Sequence, residues 1–124
     1  MGVSGILLIE KSSATIGYSK HENIKRQRFT KAHELGHFML HRGGSLFIDK
    51  DFKMYRPSLG GPSNEWQEWE ANEFAVCILM PEHLVRDEVK KIQIDYDEDW
   101  VEELAKKFNV SVSAMSIRIS RLEL

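Results

Sequence analysis

Two histidines and a glutamate have the types and spacing in this sequence most suited to chemistry. They form the string His33-Glu34-Leu35-Gly36-His37, within a stretch whose apolar residues recur at helical spacing. On a helix, side chains four residues apart project from one face, so the two imidazoles can bind one metal ion. Glu34 then lies within reach of a water molecule at that ion. The pattern is typical of a zinc peptidase, in which three protein ligands leave one coordination position open.

The third ligand has to come from elsewhere in the chain. The longer pattern H-E-x-x-H-x-x-G-x-x-H is excluded, because Leu40 and Gly43 stand where it requires glycine and histidine. His41 shares a face with His33, but a straight helix separates the two by about 12 Å, which is too far to share one ion. We therefore expect His41 to cap the helix C-terminus or to pack there rather than to bind the metal.

An acidic helix further along the chain supplies the best candidate. It carries four glutamates, Glu65, Glu68, Glu70 and Glu73, and an apolar stripe of Ala71, Phe74, Ala75, Ile78 and Leu79. Glu68 falls beside that stripe, Glu70 lies at its margin, and the other two are expected on a solvated face. A carboxylate directed at a core is costly unless a cation meets it, so Glu68 is the predicted third ligand. Asn72, on the same side, is placed to orient a ligand histidine through its carbonyl oxygen.

Composition describes an ordinary globular chain. Its 124 residues suit a single domain, 1–124, and the net charge of −2 gives no electrostatic attraction to nucleic acid. The single cysteine, Cys77, excludes an internal disulfide and a cysteine-based zinc site, and it favours a reducing, cytoplasmic location. Its apolar neighbours predict that Cys77 is a small buried residue. No apolar run approaches the ~20 residues needed to cross a membrane, so no membrane partner is expected.

The elements that position these residues predict an α+β fold. A small N-terminal β-sheet should pack on the active-site helix, and the C-terminal half should be mostly helical. Strands are predicted at Gly5–Ile9, Ala14–Ser19 and Leu46–Ile48, and helices at 29–41 (the active-site helix), 64–80 (the ligand helix), 82–91 and 98–122 (a C-terminal helix pair). Thr30 is predicted to cap the active-site helix, and Asn109 and Ser111 to separate the last two helices.

Two signatures in this chain resemble the ImmA/IrrE family of metallo-endopeptidases. The segment from Arg28 to His41 resembles the active-site helix of that family. The string Glu68-Trp69-Glu70-Ala71-Asn72-Glu73-Phe74-Ala75, followed by Leu79-Met80-Pro81, is similar to its second signature, E-x-x-A-N-x-F-A with L-M-P. The segment from Leu104 to Leu122 resembles its C-terminal part, so the resemblance covers nearly all of the chain.

The resemblance implies one zinc ion per chain, held by His33, His37 and Glu68 in a thermolysin-like (gluzincin) arrangement, with Glu34 as the catalytic glutamate. It also implies a protein substrate, since members often cleave a transcriptional repressor or an antitoxin-like regulator. Many members carry an Xre-type DNA-binding domain ahead of the peptidase domain, whereas this sequence starts close to the first family strand. How a substrate is recruited therefore stays open.

Two other functions remain as alternatives. The first is a DNA-binding regulator, because the C-terminal helix pair resembles a helix–turn–helix and carries Arg118 and Arg121. The acidic run 95–99 before this pair makes DNA an unfavourable partner. A metal-binding regulatory or protein-interaction module with little catalysis is the second alternative, against which the intact Glu34 argues. The donor that would stabilise an oxyanion stays open among Tyr55, Arg56 and His83. The substrate, its cleavage site, the activating signal and the oligomeric state stay open as well.

Overall fold

A computed structural model describes residues 2–41, 43–49, 56–60, 63–94 and 99–124. Its elements are β1 (Gly5–Ile9), β2 (Ala14–Tyr18), α1 (Ile24–Leu40), β3 (Leu46–Asp49), α2 (Ser63–Leu79), α3 (Glu82–Ile94), α4 (Trp100–Phe108) and α5 (Val112–Arg121). The α+β class predicted from the sequence is confirmed. None of the helices described is both long and apolar enough to span a membrane.

The chain divides into two compact units, Met1–Ala75 and Val76–Leu124. The first unit contains the sheet, α1 and most of α2, and the second contains the end of α2 and the remaining three helices. The assignment of 1–124 to one functional domain stays a prediction.

The sheet is antiparallel with the strand order β2-β1-β3, so β1 is central. Leu7 of β1 lies opposite Ile16 of β2 and Phe47 of β3, and it is fully buried. Residues alternate along β1, because Gly5 and Leu7 face inward while their neighbours face outward. α1 packs against β1 and β2, which confirms that the small sheet lies on the helix carrying the two histidines.

α1 begins several residues earlier than the sequence pattern predicted. Its N-cap is Asn23, whose Oδ1 atom accepts a hydrogen bond of 2.9 Å from the backbone N–H of Arg26. The predicted cap, Thr30, was wrong, since this residue is fully buried inside the helix. In the first turns of α1, which are polar, apolar residues do not recur at helical spacing. Only the capping side chain therefore indicates where the helix begins.

The buried face of α1 is largely polar. Its buried members are Thr30, Ala32, His33, Glu34, Gly36 and His37. Met39 and Leu40 continue the apolar spacing of the sequence, yet both are about half exposed. Buried polar side chains require partners, so the inner face of this helix forms a site as well as a packing surface.

The inward face of α2 matches the predicted one in part, since Ala71 and Ala75 are fully buried but Ile78 is about half exposed. Ala71, Asn72, Ala75 and Val76 are buried, whereas Cys77 is exposed. The expectation of a buried Cys77 was therefore wrong. The buried stripe of α2 includes the polar Asn72, so a search for apolar residues alone misses that position and extends the stripe to the half-exposed Ile78.

In the second unit, α4 and α5 pack against each other around Leu104 and Met115, both fully buried. Asn109 ends α4 in the left-handed conformation, with φ 55°, and the Ser111 hydroxyl accepts from the Ala114 N–H at 3.0 Å, as predicted. Glu98, the predicted start of the pair, lies outside the described residues. Arg118 is buried, and its Nε–H donates to the carbonyl oxygen of Met80 at 3.0 Å.

Candidate metal centre

Four side chains of the first unit meet at one point. They are His33 and His37 of α1, Asp49 of β3 and Glu68 of α2, and one ligand atom from each lies within 4.8 Å of all the others. The Nε2 atoms of His33 and His37 are each 3.0 Å from one oxygen of Glu68. The structure thus brings together the three ligands predicted from the sequence and adds a fourth candidate, Asp49.

The two helices position the predicted ligands. His33 and His37 lie one turn apart on α1, with ring centroids 4.7 Å apart and the rings edge to face. Glu68 reaches them from α2, one oxygen to each imidazole. Its side chain is 37% exposed while those of both histidines are fully buried, so the cluster meets solvent at Glu68.

The outer nitrogen of each imidazole has its own partner. The Nδ1–H of His33 donates to Oδ1 of Asn72 at 2.7 Å, the contact for which the sequence suggested Asn72. The Nδ1 atom of His37 faces Nδ1 of His41 at 3.0 Å, and the Nε2–H of His41 donates to Glu70 at 3.0 Å. His41 lies outside the cluster of metal-ligating atoms and ends α1 as its C-cap, as expected.

Asp49 is a candidate ligand that the sequence pattern did not predict. Its Oδ2 atom lies 3.2 Å from Nε2 of His33 and 3.6 Å from Nε2 of His37, and its side chain is buried. The predicted third strand ended one residue short of it. The signal was the alternation of β3, because Phe47 and Asp49 share a face and Phe47 stacks on His37 with ring centroids 4.3 Å apart.

Glu34 is buried beside the cluster. Burial is the largest effect on its carboxyl group, and together with the neighbouring charges of Asp49 and Glu68 it raises the pKa of Glu34 to about 10. Gly5 of β1 makes room for this side chain, since a Cβ atom there would lie 2.6 Å from Glu34 Oε2. The predicted catalytic glutamate therefore sits in a closely fitted pocket between β1 and the cluster.

The histidines hold protons strongly when the cluster carries no metal. Burial alone would lower the pKa of His33, but the carboxylates of Asp49 and Glu68 outweigh it and raise that pKa to about 9. The pKa of His37 is raised for the same reasons. Burial would raise the pKa of Asp49, yet the two imidazoles lower it below its ordinary range. The cluster is thus an anionic pocket that attracts positive charge.

A cation fits the donor atoms as they stand. Because Nδ1 of His33 donates to Asn72, a neutral His33 presents a lone pair on Nε2 towards two carboxylates, and three acceptors need a cation between them. Among the described residues, His37 Nε2, Asp49 Oδ2 and both oxygens of Glu34 are buried without a hydrogen-bond partner. The separations of 3.0–3.6 Å are close to the ~3.3 Å between ligands of a tetrahedral zinc ion.

The candidates for an oxyanion donor and the remaining glutamates are not members of the metal-ligating group found among the described residues. The exposed Arg56 guanidinium lies over the rings of Trp66 and Trp69, at 5.4 and 5.8 Å from their centroids. His83 is exposed on α3 in the second unit, and Tyr55 lies outside the described residues. Glu65 is exposed as expected, whereas Glu73 is half-buried rather than fully solvated.

An α+β fold in which a helix presents two histidines one turn apart to carboxylates from other elements defines the metallopeptidase class. A comparison with known protein families matches residues 5–120 to the peptidase M78 family, described as the IrrE N-terminal-like domain. The chain belongs to this family of metallopeptidases, which confirms the resemblance seen in the sequence. A search among curated proteins finds no match.

Proposed function

We propose that the protein is a zinc-dependent endopeptidase that hydrolyses one bond within a protein substrate. The observation that carries this proposal is the convergence of His33, His37 and Glu68 at 3.0 Å, next to the buried carboxyl group of Glu34. Two imidazoles and a carboxylate are a donor set that suits catalytic zinc. Zinc, when bound, polarises the substrate carbonyl and makes water a nucleophile near neutral pH.

Glu34 is the proposed general base. Its carboxyl group is buried beside the cluster, where a cation held by the neighbouring ligands would favour the ionised form that a base requires. It accepts the proton of the attacking water and returns it to the nitrogen of the leaving amine. Asn72 holds the ring of His33 in place during this exchange through its 2.7 Å hydrogen bond.

The outer edge of β3 is the proposed site for an extended substrate segment. Within the described residues β3 pairs with β1 alone, and the side chains of Leu46 and Ile48 are each about half exposed. The same strand ends at Asp49, which belongs to the cluster. A segment that adds to this edge as a further strand therefore lies beside the metal centre.

The proposed substrate is a transcriptional repressor or an antitoxin-like regulator in the cytoplasm, on the resemblance to the ImmA/IrrE peptidases. The test is incubation of the zinc-loaded protein with the repressor encoded nearest to its gene, read by intact-mass spectrometry. We expect one cut at one bond, lost in Glu34→Gln. An uncut repressor, alongside cleavage of another protein, would refute this choice of substrate while leaving the peptidase activity in place.

Asp49 favours a second candidate function, a metal-binding regulatory module with little catalysis. If its carboxylate joined His33, His37 and Glu68 on the ion, the site would have four protein ligands, the number found in structural zinc sites. Asp49→Asn separates the two candidates. In a site closed by Asp49, this change weakens zinc binding and raises peptide hydrolysis. In a three-ligand catalytic site, the unmodified protein already cleaves, and the change leaves cleavage unchanged or lowers it.

The decisive measurement for the activity combines zinc analysis with cleavage of a peptide library by the purified protein. We expect about one zinc per chain, peptide cleavage, and cleavage lowered by about 10²–10⁴-fold in Glu34→Gln, which keeps its zinc. Zinc binding with equal, background-level hydrolysis in both proteins would instead support the regulatory module.

A further inference from the structure

His37 is linked to the surface by two side chains that the proposed catalytic steps do not use. Its Nδ1 atom lies 3.0 Å from Nδ1 of His41, and Nε2 of His41 lies 3.0 Å from Oε1 of Glu70. His37 and His41 are buried, whereas the Glu70 side chain is 49% exposed. The three residues form a continuous chain of contacts from the metal centre to solvent.

The directions of these hydrogen bonds follow from the chemistry of imidazole. A neutral imidazole that gives the Nε2 lone pair to a cation keeps its proton on Nδ1, so Nδ1 of His37 donates. Nδ1 of His41 must then accept, which places the proton of neutral His41 on Nε2. That N–H points at Oε1 of Glu70, a carboxylate that can only accept. With a cation at Nε2 of His37, this arrangement of protons satisfies every contact in the chain.

We propose that His41 and Glu70 act as positioning residues that fix the tautomer and ring plane of His37 for metal binding, an inference that rests on the metal site of the proposed function. They do for His37 what Asn72 does for His33. Partners of this kind hold a ligand imidazole in one orientation and raise its basicity, which strengthens its bond to the metal. Phe47, stacked on His37 with ring centroids 4.3 Å apart, restricts the same ring from one face.

The contacts of His41 separate this role from simple capping of the helix. The C-cap hydrogen bond to the carbonyl of His37 uses the backbone N–H of His41, at 2.8 Å. Both ring nitrogens are therefore committed elsewhere, to His37 and to Glu70. Glu68 and Glu70 accordingly serve different turns of α1, since Glu68 reaches the two ligand histidines and Glu70 reaches His41.

The test measures zinc affinity by competition with a chromophoric chelator, without any peptide substrate. We expect His41→Ala to weaken zinc binding by about 10–100-fold, the range for loss of a partner behind a ligand histidine. His41→Asn should recover part of the loss, because an amide oxygen can accept from the His37 Nδ1–H. Glu70→Ala should weaken binding less, and Glu70→Gln should restore most of it. Glu65→Ala, an exposed glutamate on the same helix, is the matched control and should leave the affinity unchanged.

Two further measurements distinguish positioning from a general loss of structure. The double variant His41→Ala/Glu70→Ala should bind zinc no more weakly than His41→Ala alone, because both changes break one chain. With cobalt in place of zinc, the visible spectrum should shift in His41→Ala and remain unchanged in Glu65→Ala. If His41→Ala fails to fold, the half-exposed Glu70 supplies the Ala and Gln pair for the same comparison.

Unchanged zinc affinity in folded His41→Ala, or an additive double variant, would overturn the positioning role even if the protein cleaves peptides. A protein that binds zinc, loses affinity in His41→Ala and cleaves nothing would support the positioning role and refute the peptidase activity. Absence of zinc binding by the unmodified protein would overturn both.

Discussion

Gly36 of α1 and Ala71 of α2 lie in backbone contact: a Cβ atom on Gly36 would be 3.1 Å from both the Cα and the carbonyl oxygen of Ala71. This contact sets the distance between the two helices. On either side of it stand the residues that face each other across the site, His33, His37, Glu68 and Asn72. The smallest side chain at the crossing thus allows Glu68 to come within 3.0 Å of both imidazoles.

Gly36→Ala should therefore disturb the metal site from a position that contacts no metal. The added methyl group meets backbone atoms that cannot rotate away, so the helices must separate by a few tenths of an ångström. We expect a loss of about 1–3 kcal/mol in the free energy of unfolding, together with weaker zinc binding. Thermal denaturation and zinc titration measure the two effects. Gly43→Ala, where the new atom meets nothing within 4 Å, is the matched control. Equal behaviour of the two variants would contradict this account of the crossing.

Single alanine substitutions should separate ligands from residues that only support them. His33→Ala, His37→Ala and Glu68→Ala should each lose zinc, because each removes a donor atom that lies within 3.0 Å of another. Metal analysis of the purified variants, with Glu65→Ala as the reference, is the measurement. If Glu68→Ala kept its zinc while Glu70→Ala lost it, Glu70 and not Glu68 would be the third ligand.

Glu34→Gln should retain both zinc and fold but lower peptide hydrolysis by about 10²–10⁴-fold, the usual contribution of a general base. The amide is close in shape to the carboxyl group but cannot take a proton from water. Steady-state cleavage of a peptide substrate, together with zinc content, is the measurement. Full activity in this variant would remove Glu34 from the mechanism.

The stability of the metal-free protein should fall as pH rises from about 6 to 9. His33 has a pKa of about 9 when folded and an ordinary value of 6.5, so its contribution is complete below pH 6.5 and is lost as pH rises through 9. Glu34 acts in the same direction, because its raised pKa of about 10 means that deprotonation opposes folding. Melting temperatures in a chelator, from pH 6 to 9, measure the trend. Zinc should weaken it, since the cation replaces the protons. A metal-free protein that becomes more stable with pH would contradict the proposed charge balance.

Arg118→Ala should destabilise the protein, whereas Arg121→Ala should not. Arg118 is buried and donates to the carbonyl oxygen of Met80, which would remain unpaired at a cost of about 1–3 kcal/mol. Arg121 is exposed. Urea denaturation measures the difference.

In a gel shift with duplex DNA at ~150 mM salt, where phosphate contacts are weakened, we expect no sequence-selective complex. Such a complex, lost in Arg121→Ala, would support a DNA-binding regulator.

The parts of the site that follow from local periodicity could be predicted from the sequence. His33 and His37 share a face because a helix repeats every 3.6 residues, whatever the rest of the chain does. Helical phase also placed Glu68 and Asn72 on one side of α2, and both side chains contact His33 in the structure. The strands were also predictable, since Gly5–Ile9 and Ala14–Tyr18 are short apolar runs that pair directly.

The start of α1 was harder to predict from the sequence, because Asn23 and the polar turn after it carry no apolar pattern. The same limit affected α2, whose inner stripe contains Asn72 and places Cys77 outside. Hydrophobic periodicity locates a buried face poorly when functional polar residues occupy that face.

Only the tertiary structure decided the positions of Asp49, His41 and Glu70. Asp49 reaches the cluster because β3 pairs with β1 in a register that places Asp49 opposite Gly5, next to the pocket of Glu34. Glu70 meets His41 because α1 and α2 cross at Gly36, and neither residue carries a local signal of the other. Helical spacing determines which side chains share a face, whereas strand register and the helix crossing determine which faces meet.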